Sequence, residues 1–101
     1  MKLNPKQIKV LRTLGHSLSP IVTVADRGLT DTVIAAINEA LETHELVKVK
    51  VRHERELRNS LCEQICQKTG AVEIQQIGMI LLIYKQSKQS KNTLLGPKLK
   101  S

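Results

Sequence analysis

The chain has 101 residues and a formal charge of +7, with Lys and Arg at 16 positions against 9 for Asp and Glu. That length holds one domain with a modest core, and a 41% apolar share argues against wholesale disorder. Phe and Trp are missing and Tyr84 is the single Tyr. This sets aside any scheme in which bases stack on rows of aromatic rings, and it favours recognition of backbone and shape.

Asn4 is a good N-cap and Pro5 suits the first helical position, so a helix begins there. Ile8, Leu11 and Leu14 form its apolar stripe, while Lys2, Lys6, Lys9 and His16 fall on another face. Gly15 and Pro20 bracket the exit. Residues 21–24 read as a β-branched strand and 25–28, Ala25-Asp26-Arg27-Gly28, as a turn. Thr30 or Asp31 then caps a second helix, in which Val33, Ile37, Ala40 and Leu41 repeat at helical spacing. Such a join aims free backbone N–H groups and the positive helix end at whatever sits over the turn. A phosphate is the natural occupant.

Residues 46–52 alternate, with Val47, Val49 and Val51 facing one way and Lys48, Lys50 and Arg52 the other. A third helix is expected over 55–69, with Leu57, Leu61 and Ile65 inward and Gly70 as its C-cap. Strands over 71–77 and 80–85 meet at Gly78-Met79, a joint short enough for an antiparallel hairpin. The order α-β-α-β-α-β-β predicts an α/β two-layer sandwich on a four-stranded mixed sheet, in which strands separated by helices pair in parallel. One domain is expected over 1–86, and 87–101 reads as a basic, flexible tail broken by Gly96-Pro97.

Charge is unevenly placed. Lys2, Lys6, Lys9 and Arg12 have no acidic neighbour in residues 1–24, and the tail carries Lys88, Lys91, Lys98 and Lys100 with no acid. Residues 29–45 instead hold Asp31, Glu39, Glu42 and Glu45 with no Lys or Arg. A molecule with one acidic side and a basic remainder is oriented for a polyanion. Arg27 either forks onto phosphate oxygens or pairs with Asp26 or Asp31. Lys48 and Lys50 either track a nucleic-acid backbone or are ordinary polar positions on a solvated strand.

Cys62 and Cys66 read as core residues, since nothing nearby completes a metal set. His16, His44 and His53 are scattered, and no nucleophile–base pair, Walker loop or dinucleotide fingerprint stands out, so neither an enzyme nor a cofactor is expected. No leader-like stretch or membrane-length apolar run is visible, which fits a cytoplasmic protein.

Several fragments occur together in order: Leu3-Asn4-Pro5-Lys6-Gln7, Leu14-Gly15-His16-Ser17-Leu18-Ser19-Pro20, Gly28-Leu29-Thr30, and His44-Glu45-Leu46-Val47-Lys48-Val49-Lys50. With Thr69-Gly70-Ala71 and the stretch 77–85, they resemble the CRM domain (chloroplast RNA splicing and ribosome maturation), in its bacterial stand-alone YhbY type, over residues 3–86. The resemblance implies an RNA-binding fold similar to the C-terminal domain of translation initiation factor 3. Bacterial members are associated with precursors of the large ribosomal subunit, and plant relatives with group II intron splicing. The family's Gly-x-x-Gly loop, like the one with which KH domains hold an RNA backbone, maps onto residues 25–28 with Ala25 in place of the first glycine. Ala25 is expected to end the strand at negative φ, and Gly28 to supply the positive φ.

The implied partner is structured RNA, held by a monomer in large-subunit precursors. The expected contacts are Ala25, Asp26, Arg27, Gly28 and Thr30 of the loop, with Lys6, Lys9, Arg12, Lys48, Lys50 and Lys85 around it. Two other readings are open. One is an adaptor that docks on protein through Glu39 and Glu42 of the second helix, and the other a sensor of a nucleotide or phosphate.

Overall fold

The computed structural model describes residues 3–87. Seven elements follow in the expected order: α1 Pro5–Gly15, β1 Val22–Val24, α2 Asp31–His44, β2 Leu46–Val51, α3 Arg55–Thr69, β3 Val72–Ile77 and β4 Ile80–Tyr84. Lys2 and the tail lysines Lys88, Lys91, Lys98 and Lys100 lie outside the described residues. Ser87, the first residue assigned to the tail, is buried; its backbone N–H donates to Glu45 Oε2 and its hydroxyl to Glu42 Oε2.

The α/β fold with a mixed four-stranded sheet is as expected, and the strand order is β1-β2-β4-β3. Parallel pairing holds only between β1 and β2. Contrary to the expectation for β2 and β3, β4 folds back between them and pairs antiparallel with both. The continuous apolar run Leu81–Tyr84 explains the placement, because a strand buried on both faces belongs at the centre.

Alternation sorts the sheet into two faces. Val47, Val49, Val51, Leu81 and Ile83 face α2 and α3, packing with Ile37, Leu41, Leu61, Cys62 and Ile65. These two layers hold most of the core, where each fully buried Val, Leu or Ile contributes roughly 1.5–3 kcal/mol. On the other face Leu46, Ile74, Leu82 and Tyr84 pack against Leu11 of α1. Thus α1 adds a partial third layer over the half of the sheet where β2 begins.

Two side chains expected inside are outside. Leu57 is 44% exposed and Leu14 39%. Around α3 the inward positions are Leu61, Cys62, Ile65 and Thr69, a stripe rotated off Leu57. In α1 the place of Leu14 is taken by Gly15, where an added methyl would lie 2.6 Å from Leu82 Cδ2. The helix thus approaches the sheet as closely as a glycine permits.

The caps follow the local sequence. Asn4 and Gln7 form a reciprocal capping box, and Thr30 caps α2. Gly70 ends α3 in the left-handed region, φ 76°. Cys62 and Cys66 are free thiols, and burial pushes both up to about 11, protonated at neutral pH. Tyr84 is fully buried, its phenol is pushed up to about 12 by burial, and its hydroxyl has no hydrogen-bond partner among the described residues. An unsatisfied buried hydroxyl costs about 1–3 kcal/mol. Tyr84→Phe is therefore expected to raise stability by about 1 kcal/mol, read as a higher urea midpoint at unchanged slope; a lower midpoint would mean that the hydroxyl is satisfied.

Candidate nucleic-acid interface

Parallel strands β1 and β2 end side by side, and each hands over to a helix at the same edge of the sheet. Ligands of α/β sheets collect outside the carboxyl ends of such strands. Here β1 closes with a hydrogen bond from Gly28 N–H to Ala25 O at 2.8 Å. Gly28 sits at φ 70°, while Ala25 stays out of the positive-φ region. Replacing the family glycine by Ala25 thus leaves the turn's backbone unstrained. Ala25, Asp26 and Arg27 are exposed; Gly28 and Thr30 are half-buried.

The turn feeds directly into α2. Thr30 N–H donates to Gly28 O, and Thr30 Oγ1 accepts from Val33 N–H at 3.1 Å. The backbone N–H groups of Asp31 and Thr32 have no partner among the described residues and lie at the positive end of a 14-residue helix. Arg27 makes no ion pair among those residues, so the pairing with Asp26 or Asp31 is not formed.

The segment after β2 is stitched to this turn. Arg52 N–H donates to Val24 O at 2.9 Å, continuing the ladder one residue past the strand. His53 Nε2 lies 2.7 Å from Ala25 O; a carbonyl only accepts, so Nε2 carries the proton. Arg58 Nη1 in turn donates to His53 O, tying α3 to the loop. The turn is therefore braced from two elements rather than hanging free.

Lys50 pairs in register with Thr23, two residues before the turn. Lys48, Lys50 and Arg52 share the face that α1 only half covers, spaced about 7 Å apart. Arg52 was the residue missing from the expected set. Its signal was present in the sequence, because it continues the alternation of Lys48 and Lys50. Lys48 Nζ donates to Leu18 O, which steadies the bend between α1 and β1.

The other expected residues divide. Lys6 and Lys9 line a shallow groove with Val10, Thr13 and Leu14, which adjoins at Leu14 a second groove reaching Lys48. Arg12 is exposed on α1 but lines neither groove. Lys85 lies at the far end of the sheet, where its N–H donates to Glu45 O, and its Nζ donates to Thr69 O at the end of α3. A strand length of about 17 Å separates that end from the turn.

Among the described residues there is no cluster of three or more His, Cys, Asp or Glu able to hold a metal, and no helix long and apolar enough to cross a membrane.

The CRS1 / YhbY (CRM) domain model matches residues 3–85. The chain is similar to an "RNA-binding protein" of Haemophilus influenzae, 41% identical over 90 residues, covering 88% of this chain and 91% of the relative. It is also similar to the "Probable RNA-binding protein YqeI" of Bacillus subtilis, 38% identical over 90 residues, with 88% and 94% covered. In shape it resembles the solution structure of the hypothetical protein SAV1595 from Staphylococcus aureus, with a TM-score of 0.76 at 33% identity, covering 89% of this chain and 95% of that one.

Proposed function

The chain belongs to the CRS1 / YhbY (CRM) domain family, and on that premise we propose that it is a non-catalytic RNA-binding protein that holds structured ribosomal RNA in precursors of the large ribosomal subunit. The observation that carries the reading is the braced turn at 25–28, with the open N–H groups of Asp31 and Thr32 behind it and Arg27, Lys50 and Arg52 around it. A phosphate over the turn meets backbone donors and a helix dipole. The arginines and Lys50 then carry the neighbouring phosphates. Preference for RNA over DNA comes from duplex shape and 2′-OH contacts. The names of the relatives agree with RNA as the partner. The protein acts as a monomer in the cytoplasm, with no cofactor.

Sedimentation of a lysate through a sucrose gradient, with and without RNase, tests this role. Co-migration with free large subunits or their precursors, lost on RNase treatment or in moderate salt, is the expected result. Association that survives RNase, and fails when Glu39 and Glu42 are reversed, would transfer the role to protein docking. Migration only among light soluble proteins would overturn the ribosomal role.

A further inference from the structure

Beside the cationic row, on the same face of the sheet, lies a small hollow of about 190 Å³ lined by His16, Lys48, Gln75, Ile77, Ile80 and Leu82. Its floor is apolar, with Ile77 64% exposed. The side chains of His16 and Gln75 have no hydrogen bond or ion pair among the described residues. By contrast Gln76, the next residue, is tied to Asn59 at 2.8 Å.

Gln75 reaches this face only because β3 is irregular. In strict alternation it would share the opposite face with Glu73, but the register shifts between Glu73 and Gln75, so that Glu73 pairs with Ile83 and Gln75 with Leu82. The β-bulge buries Ile74 under α1 and turns Gln75 to the same side. Bulges of this kind re-aim side chains next to functional sites.

Building on the RNA-binding reading above, we infer that this hollow takes a single unpaired nucleobase, extruded from the RNA whose backbone lies on Lys50 and the turn. The volume is below the roughly 300–1,000 Å³ of sites that enclose drug-sized ligands, which suits one flat ring system. Ile77 and Ile80 supply an apolar floor, and the His16 imidazole is the ring at hand for stacking. The Gln75 amide presents a donor and an acceptor side by side, the pattern that reads a base edge.

The register joins this hollow to the phosphate site. Ile77 pairs with Ile80, Ile80 with Lys50, and Lys50 with Thr23, so one cross-strand row runs from the hollow to the approach of the turn. Three strand spacings, about 14 Å, cover the distance. An extruded base on the isoleucines therefore has Lys50 beneath its own backbone, and the adjoining phosphates reach residues 25–28. The scarcity of Phe, Tyr and Trp favours recognition of backbone and shape; a histidine over an aliphatic floor supplies base contact by another route.

Two RNA hairpins of equal length test the inference, one fully paired in its stem and one with a single-nucleotide bulge carrying 2-aminopurine. The wild-type chain is expected to bind the bulged hairpin about tenfold tighter, with a change in 2-aminopurine fluorescence as the base enters. Gln75→Ala and His16→Ala are each expected to bring the bulged affinity down towards the paired one while leaving the paired affinity unchanged. Arg27→Glu lowers both affinities together. Equal wild-type affinity for the two RNAs, or equal losses on both in Gln75→Ala, overturns the base site and leaves the RNA-binding reading standing. Binding to neither RNA overturns the site and that reading together. Matched thermal midpoints keep a folding defect from passing as either result.

Discussion

Reversing Arg27 and Arg52 together, as Arg27→Glu with Arg52→Glu, is expected to lower affinity for a structured RNA by about a hundredfold. Hydrogen bonds to charged groups contribute roughly 1.5–3 kcal/mol each, and two exposed ones, lost at the lower end of that range, bring about two decades in Kd. The effect concentrates on these residues because the backbone places them together. Arg52 N–H reaches Val24 O, and Arg27 stands in the turn that begins at the next residue. Both side chains are exposed, so reversal leaves the core untouched.

Salt dependence separates this cause from misfolding. Each phosphate contact removed flattens the slope of log K against log salt by about 0.7–0.9, so the double variant is expected to lose roughly 1.4–1.8. A parallel slope at lower affinity would mean that the arginines act through structure rather than through phosphate. Reversal of Lys85 serves as the comparison. Its Nζ closes the end of α3 on Thr69 O, away from the turn, so that change is expected to appear in stability before it appears in the salt slope.

The sequence made the elements legible because each boundary had a chemical mark. Asn4 before Pro5, Thr30 before the α2 stripe, and Gly70 after Thr69 all cap where expected. The turn was legible for the same reason: Gly28 holds the positive φ that the bend requires. What remained hidden was tertiary. Apolar spacing in α1 marks a stripe but not which edge of it the sheet covers, so Leu14 and Gly15 exchanged roles. The strand order turned on β4 inserting between β2 and β3, a choice made by burial on both faces.

The hollow was also beyond the sequence, although a trace of it was there. In β3 the apolar positions run Val72, Ile74, Ile77, a step of two and then three. That break in alternation is the bulge, and it decides that Gln75 rather than Gln76 faces the cationic row. His53 bracing Ala25 O joins residues 28 apart in the chain, a contact that only the closure of β1 on β2 creates.

Leu11→Ala carries the largest expected effect on stability, about 2–5 kcal/mol. Leu11 is fully buried at the centre of the second cluster, against Leu46, Ile74, Leu82 and Tyr84. For a domain of this size that corresponds to a fall of roughly 8–40 °C in Tm. Its character is expected to differ from an equal truncation on the other face. Ile37 projects from α2 into the main core, and Ile37→Ala weakens the body on which every strand depends. Leu11 instead anchors a single helix laid over half of one face, so its truncation first frees α1 as a unit. Hydrogen exchange resolves the two cases. In Leu11→Ala the amides of α1 are expected to exchange well ahead of those in β2 and β4, whereas in Ile37→Ala all three accelerate together. RNA binding then follows the same division: once α1 lifts, His16 leaves the hollow, while the turn, braced by His53 and Arg52 from the other side of the chain, keeps its phosphate contacts. A Leu11→Ala variant that loses paired-stem affinity as strongly as bulge preference would show that α1 supports the turn itself, and the separation of the two sites would fall.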